Sequence, residues 1–366
     1  MLIGFLIFIF ITSAAVWIFL QQPKFGKYPS GSRLERIEKS PNYDDGKFRN
    51  LSPTPDLTEG SSYFSVMKEF LFSDRPRRIP TDSIPTTKTN LHTLNPDENV
   101  LVWFGHSSYF LQVDGKRFLV DPVFSGAASP IAATTRSFPG TDVYGAEDIP
   151  SIDYLLITHD HWDHLDYKTI LALRPRVGKV ICGLGVGEHL EYWGYDPGRI
   201  VELDWNESAD LIAGFEIHAR PARHFSGRGL RRNRSLWVSF VLITPTAKLY
   251  MGGDSGFDKH FRKIGDEFGP FDLAILENGQ YDKNWKYIHL LPEEVVQASM
   301  DIRAKRLLAV HSSKFALGNH AWDDPLLRVS KLAGERNVHL ITPMIGQPVN
   351  LRDSTAQFSE WWRGIN

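Results

Sequence analysis

The segment His159-Asp160-His161-Trp162-Asp163-His164 places three imidazoles and a carboxylate at His-x-His-x-Asp-His spacing in one hexapeptide. Imidazole nitrogen and carboxylate oxygen suit a borderline divalent metal such as zinc. His159 and His161, two apart, point the same way in an extended loop. Asp163 and His164 follow too closely to share one metal comfortably with both, and a second ion relieves that crowding. Downstream, His224 and His311 can each complete one site, and Asp254 has two oxygens with which to bridge. A water held between two such metals ionises near neutral pH and serves as a hydrolytic nucleophile. Taken singly, the distant residues have plainer readings. His224 or His311 alone suits a structural histidine, and Asp254 after Gly252-Gly253 suits a turn. With the hexapeptide present, the ligand role becomes the expectation for all three.

Rigid elements must bring these residues together. From about Asn99 the chain turns into short apolar runs ended by Gly, Pro, Asp or His. Strands are expected at Val100-Phe104, Tyr109-Val113, Phe118-Val120, Tyr154-Thr158, Phe215-Ala219, Leu236-Ile243, Lys248-Met251, Leu273-Leu276 and Leu307-Val310. Helical patterns fall at Tyr167-Leu173 and Pro292-Ala304; the second opens with proline and two glutamates, suited to a helix N-terminus. This is an α/β alternation with hairpins, hence a mixed sheet system covered by helices. Each candidate ligand lies just past the carboxyl end of an expected strand, where loops on a scaffold converge.

The amino terminus differs in texture. Leu2 to Leu20 carries no charge, and as a helix it rises about 28 Å, near a hydrocarbon core of roughly 30 Å. No Lys or Arg precedes it, unlike a typical signal peptide, although Ala14-Ala15 is compatible with cleavage. An uncleaved transmembrane anchor is the expectation. Lys24, Lys27, Arg33, Arg36 and Lys39 follow it, which places the remainder on the cytoplasmic side. Residues 21 to about 62, rich in proline and glycine, read as a linker. Val66, Met67, Phe70 and Leu71 then share helical spacing, a face that could touch lipid but is expected to pack on the main domain. The expected division is therefore an anchor (or signal segment) over 1–20, a linker and N-terminal extension over 21–98, and a hydrolase domain over 99–366.

In all, the 366 residues are 42% hydrophobic and 23% charged, enough for a buried core and incompatible with global disorder. With 41 Lys+Arg against 43 Asp+Glu, the net charge of −2 gives no pull towards nucleic acid. One cysteine, Cys182, excludes an internal disulfide framework and a cysteine-rich zinc finger.

These residues resemble the metallo-β-lactamase fold superfamily, whose signature is His-x-His-x-Asp-His. The similarity spans roughly Asn99 to Pro348. More narrowly, the chain resembles the N-acylphosphatidylethanolamine-hydrolysing phospholipase D group. The matching stretches are Trp103-Phe104-Gly105-His106-Ser107-Ser108, Leu119-Val120-Asp121-Pro122-Val123-Phe124-Ser125, His159 to Asp166, and Pro221-Ala222-Arg223-His224. Further matches are Gly253-Asp254-Ser255-Gly256, His289-x-x-Pro292-Glu293-Glu294, and His311 with Phe315-Ala316-Leu317. The resemblance implies a four-layer αββα sandwich with two zinc ions at one edge, between the sheets. It implies one metal on His159, His161 and His224, another on Asp163, His164 and His311, and Asp254 bridging. Asp163 and Asp254 would thereby act in catalysis. It makes Asp121 and His106 supports of the metal ligands, and His289 a group that contacts the substrate phosphate or moves a proton to the leaving group. With Asp254 at the bridging position and Cys182 elsewhere, β-lactam hydrolysis is disfavoured.

One loop is locally basic: Arg220, Arg223, Arg228, Arg231, Arg232 and Arg234 crowd His224. Arg228, Arg231 and Arg232 are expected to capture phosphate of a lipid substrate or of anionic headgroups. Together these readings predict a membrane-associated dinuclear zinc hydrolase, a phospholipase D-type phosphodiesterase acting through a metal-bridging hydroxide on N-acylphosphatidylethanolamine or a related phospholipid. Its partners are then a phospholipid and the bilayer, and no nucleic acid. A lactonase or other carboxylic ester hydrolase is the first alternative; a nuclease and a non-catalytic metal-binding membrane module are remoter ones.

Overall fold

The computed structural model describes residues 2–72 and 76–366. Helix α1 (Leu2–Leu20) is long and apolar enough to cross a membrane, and none of it is buried by the rest of the chain. It leads into α2 (Gly31–Ile37), a hairpin of β1 (Tyr43–Asp44) and β2 (Lys47–Phe48), and α3 (Tyr63–Phe72). The expectation of a free linker here is corrected. Ile37 and Phe48 are wholly buried in the main core. The Arg33 guanidinium reaches Glu188 at 2.7 Å, Glu191 at 3.0 Å and Glu202 at 2.6 Å. The segment is a strap, held by partners more than 150 residues away in the chain. In α3, Met67 is exposed rather than packed; the side chains of Phe70 and Leu71 lie outside the described residues.

Alternation of apolar residues with turns builds two seven-stranded sheets. The first contains β3 (Val100–Trp103), β4 (Tyr109–Val113), β5 (Lys116–Val120), β6 (Ile152–Ile157), β7 (Val177–Gly183) and β8 (Ile200–Leu203). The second contains β9 (Ser208–Ile212), β10 (Phe215–Arg220), β11 (Ser239–Ile243), β12 (Lys248–Met251), β13 (Leu273–Glu277), β14 (Leu307–Val310) and β15 (Leu340–Ile341). A last strand, β16 (Pro348–Asn350), returns to the first sheet beside β3. Each sheet is antiparallel in one half and parallel in the other, from β5 to β8 and from β12 to β15.

Helices α4 (Tyr167–Leu173) and α5 (Val186–Tyr192) accompany the first sheet, and α6 (His260–Phe268), α7 (Pro292–Asp301) and α8 (Asp324–Glu335) the second. Three apolar clusters fill the spaces. One joins the inward faces of both sheets, one lies between the first sheet and α4 and α5, and one lies between the second sheet and α6 to α8. These are the interfaces of an αββα sandwich, with every layer's apolar face covered. The expected strand over Leu236-Ile243 begins only at Ser239. Leu236 N instead bonds Leu184 O at 2.7 Å, and Val238 N bonds Thr158 O at 2.9 Å. That crossing ties the second sheet to the end of β6, immediately before His159.

Candidate metal centre

Strand ends aim the site. Strand β6 delivers His159 to His164, β10 leads to His224, β12 leads through Gly252-Gly253 to Asp254, and β14 to His311. At Gly253 φ is +59, and an added Cβ would stand 2.9 Å from Thr158 Cβ. Only glycine lets the chain pass the first sheet that closely before presenting Asp254. His106, Asp121 and His311 also sit in the left-handed region, at φ 52, 42 and 66. Such backbone persists where its surroundings over-determine it. Here His106 N bonds Ser312 O, His311 N bonds His106 O, and the Trp103 indole donates to His106 O at 2.8 Å.

The seven predicted ligands converge. His159 Nε2 and His224 Nε2 lie 2.9 and 3.2 Å from His161 Nδ1. Asp254 Oδ2 lies 3.2 Å from His164 Nε2 and 3.3 Å from His311 Nε2. It is also 3.9 Å from His159 Nε2 and 3.7 Å from His224 Nε2, so it stands between both histidine groups. Asp163 Oδ2 is 3.3 Å from His311 Nε2 and 3.5 Å from His164 Nε2.

The opposite ring nitrogens are held. His224 Nδ1 is 2.9 Å from Ile288 O, and His164 Nδ1 is 2.8 Å from Asp121 Oδ2. His311 Nδ1 is 3.1 Å from Glu277 Oε2. Each outer contact fixes a ring so that Nε2 faces inward. Asp121 is itself fixed by Thr158, through N at 2.9 Å and Oγ1 at 2.6 Å. His106 Nε2 meets Asp163 Oδ2 at 2.8 Å and so holds that carboxylate, at the margin of the group formed by Asp163, His164 and His311.

Electrostatics agree with a cation site. Burial depresses His159, His161 and His224, with His161 down to about 4, which leaves them neutral and able to ligate. Burial acts the same way on His164 and His311, but the carboxylates of Asp254 and Asp163 outweigh it; His164 is held well above its usual value and His311 is pushed up to about 10. Burial would raise Asp163 and Asp254, yet the surrounding imidazoles hold both well below the carboxylate range. Two buried atoms, His164 Nε2 and Asp254 Oδ1, have no hydrogen-bond partner. Unsatisfied buried polar atoms are costly, and a divalent ion satisfies both. The donor set therefore fits metal ions.

A pocket of about 280 Å³ opens above the cluster. His161, Asp163, His224, Asp254, His289 and His311 form its base, and Leu57, Tyr63, Phe225, Trp285, Ile288 and Leu317 its largely apolar walls. His289 is in the pocket, its Nδ1 2.7 Å from Glu277 Oε2. The arginine loop disperses. Arg232 lines the pocket, pairs with Asp56 at 3.2 Å and lies over Phe225. Arg231 is exposed, stacked on Tyr28 near the foot of α1.

Arg228 is a correction. It is 3% exposed, and its guanidinium donates to the carbonyls of Lys24, Asp160 and Leu165. Trp162 and Trp193 flank it at 4.0 and 5.2 Å. A guanidinium so buried, with four of its five N–H groups given to backbone carbonyls, braces the ligand loop rather than facing a substrate.

Sequence reasoning missed Glu277, which holds His289 and His311 on one oxygen and accepts from Ser255 N on the other. Its signal was a carboxylate ending an apolar strand at the same sheet edge as the ligands. Also missed was Asn50, which clamps both the N–H and the C=O of His224 from the strap.

A family model described as the β-lactamase superfamily domain matches residues 116–312, a span containing all seven candidate ligands. The chain is 38% identical over 332 residues to an uncharacterised protein of Mycobacterium tuberculosis, covering 89% of this chain and 88% of that protein. It is 30% identical over 292 residues to the N-acyl-phosphatidylethanolamine-hydrolyzing phospholipase D 1 of Caenorhabditis elegans, covering 74% of this chain and 80% of that protein. Among solved structures, Igni18, a metallo hydrolase of the archaeon Ignicoccus hospitalis, superposes with a TM-score of 0.53 at 20% identity. That match covers 69% of this chain and 98% of Igni18. A superfamily match running through every ligand loop, on a sandwich whose strand ends converge on a metal-ready cluster, makes this chain a metal-dependent hydrolase of the metallo-β-lactamase superfamily.

Proposed function

We propose that the protein is a phospholipase D-type phosphodiesterase that cleaves N-acylphosphatidylethanolamine or a related phospholipid while held at a membrane by α1. The observation that carries this reading is the pocket, in which a metal-ready base meets largely apolar walls. The relationship to a phospholipase D of that specificity supports it.

In this reading His159, His161 and His224 would hold one zinc ion and Asp163, His164 and His311 a second, with Asp254 as a ligand available to both. When bound, the ions supply Lewis-acid polarisation of the phosphoryl group and a water nucleophile at neutral pH. The chain's own residues do the rest. Asp121 and Glu277 keep the Nε2 atoms of His164 and His311 turned inward. Glu277 also holds Nδ1 of His289, so His289 Nε2 is the nitrogen left to pass a proton to the leaving alkoxide. Arg232 lines the pocket, which supports a role for it in meeting the phosphate. Leu57, Tyr63, Phe225 and Trp285 exclude water around the glycerol and acyl carbons. Lys24 and Lys27, just beyond α1, favour the cytoplasmic side for the hydrolase domain.

Mass spectrometry of lipid products tests this directly. Zinc-loaded protein incubated with N-acylphosphatidylethanolamine should release phosphatidate and N-acylethanolamine, and Asp254→Asn should release neither. No turnover with metal demonstrably bound would refute the substrate and leave the superfamily assignment standing.

A further inference from the structure

Helix α3 turns bulky apolar groups to the outside. Among its described side chains, Val66 and Glu69 are partly buried, and Glu69 accepts from Asn284 Nδ2 at 3.1 Å and pairs with Lys283 at 3.1 Å. Beside the exposed Ser65 and Lys68, Phe64 is 80% exposed, Met67 57% and Phe72 79%. A surface helix in water buries its apolar stripe and exposes its charges. Neighbouring bulky apolar groups left outside mark an interaction surface.

The placement of α3 identifies what covers it. Tyr63, at its start, lines the metal pocket and donates to Asp56 at 3.0 Å. Asp56 pairs with Arg232, and the adjoining Arg231 lies over Tyr28. Tyr28 shares a groove with Leu20 and Phe25 at the foot of α1 and with Leu230, itself 81% exposed. One track of contacts therefore runs from the end of the apolar helix, past Leu230, to the pocket mouth and α3. Cations border it: Lys27, Lys68, Arg231 and Lys283 are exposed. Apolar side chains with exposed cations among them, although Asp56 and Glu59 are exposed there too, and continuous with a helix fit to cross a membrane, match a bilayer surface.

We propose that α3 is a second, interfacial lipid contact, with Phe64, Met67 and Phe72 entering the headgroup–acyl boundary beside the pocket. This sets the pocket mouth at headgroup level, where a phospholipid enters sideways past Tyr63 without leaving the bilayer. The lipid contact stands on the surface itself; only the entry route rests on the phospholipid reading above.

Site-directed spin labelling tests it on the full-length protein. Cys182 is the sole cysteine and is buried, so Phe64→Cys takes a nitroxide selectively. Lys331→Cys, on the exposed side of α8, is the reference. In phosphatidylcholine–phosphatidylglycerol vesicles, the label at 64 should be more accessible to oxygen than to a polar nickel chelate, and the label at 331 the reverse. A label at 64 that behaves like the one at 331 overturns the proposal. So does one shielded from both quenchers, which would report a protein partner or a second copy.

A kinetic arm uses Phe64→Asp combined with Met67→Asp. It should lower kcat/KM on vesicle-borne phospholipid about tenfold and leave a water-soluble phosphodiester untouched; equal loss on both overturns the interfacial role. If the wild type turns over no phospholipid at all, the phospholipase reading fails while the spin-label result still decides the lipid contact.

Discussion

Replacing Arg228 by methionine separates two roles that look alike in sequence. If the guanidinium captures phosphate, Arg228→Met should raise KM and leave the fold alone. The structure gives it a different task. It donates to the carbonyls of Asp160 at 2.9 Å and Leu165 at 2.7 Å, both within the ligand loop, and to Lys24 O at 2.9 Å. A hydrogen bond from a charged donor contributes about 1.5–3 kcal/mol. The Lys24 carbonyl is only partly buried, so water can replace that bond; the two buried bonds come to about 3–6 kcal/mol. Removing a buried cation returns part of its desolvation penalty, and methionine refills much of the slot between Trp162 and Trp193. The net destabilisation is about 2–4 kcal/mol. At about 2 °C per kcal/mol for a domain of this size, Tm should fall by about 4–8 °C. Tryptophan-fluorescence melting in detergent, with metal content measured alongside, is the assay. Metal occupancy should fall with Tm, because the braced loop carries His161, Asp163 and His164. Arg228→Lys should sit between, keeping the charge but losing the planar fork. A variant with unchanged Tm and metal content but raised KM would refute the bracing role and restore substrate capture.

Three further outcomes follow from the same geometry. Asp121→Asn takes the carboxylate from His164 Nδ1 and should weaken metal binding about 10–100-fold; titration against a competing chelator reads this, and unchanged affinity would contradict it. His289→Gln should lower kcat about 100-fold or more with metal content and Tm unchanged, and loss of metal would instead make His289 a ligand. Stripping the metals should lower Tm by about 5 °C, since saturation at a hundred times Kd is worth about 2.7 kcal/mol. Re-addition of zinc should restore it, and a Tm indifferent to proven metal loss would show that the ions do not brace the fold.

Much of the centre was legible because it is local or ends a strand. The hexapeptide is covalently contiguous, so its chemistry needs no fold to be seen. His224, Asp254 and His311 each follow an apolar run, and Asp121 precedes Pro122 at the end of another. Glu277 escaped notice because it reads as the last residue of a strand, and nothing local says that two histidines converge on it. Strands β7 to β9 were missed for a related reason. β7 has the exposed pair Gly178-Lys179 just after its first residue, and β9 alternates at a sheet edge with little apolar content. The strap read as a linker because proline and glycine break local periodicity, while the ion pairs and buried side chains that hold it are long-range. Arg228 misled for the simplest reason, since a buried arginine and an exposed one are the same letter.

That strap changes what α1 would do if it anchors this protein. A flexible linker of about 40 residues would let the hydrolase domain roam roughly 35 Å from its attachment point. Here the exit from α1 is fixed within a few residues. Trp193 Nε1 donates to Pro23 O at 2.7 Å, and Lys27 N to His189 Nδ1 at 3.0 Å. His189 Nε2 then meets Asp160 Oδ2 at 3.2 Å, and Asp160 also accepts from Gly227 N and Ser235 Oγ. Gly26 permits that approach, because an added Cβ would fall 2.0 Å from His189 Nδ1. The foot of α1 is thus joined to the metal-ligand loop by two routes, through Arg228 and through His189–Asp160. With α1 in a bilayer, the height and tilt of the pocket are set by hydrogen bonds rather than by a tether's length. A fixed pocket gains nothing for a substrate arriving from water, which can approach from any side, but it matters for one that must be met in the plane of the membrane.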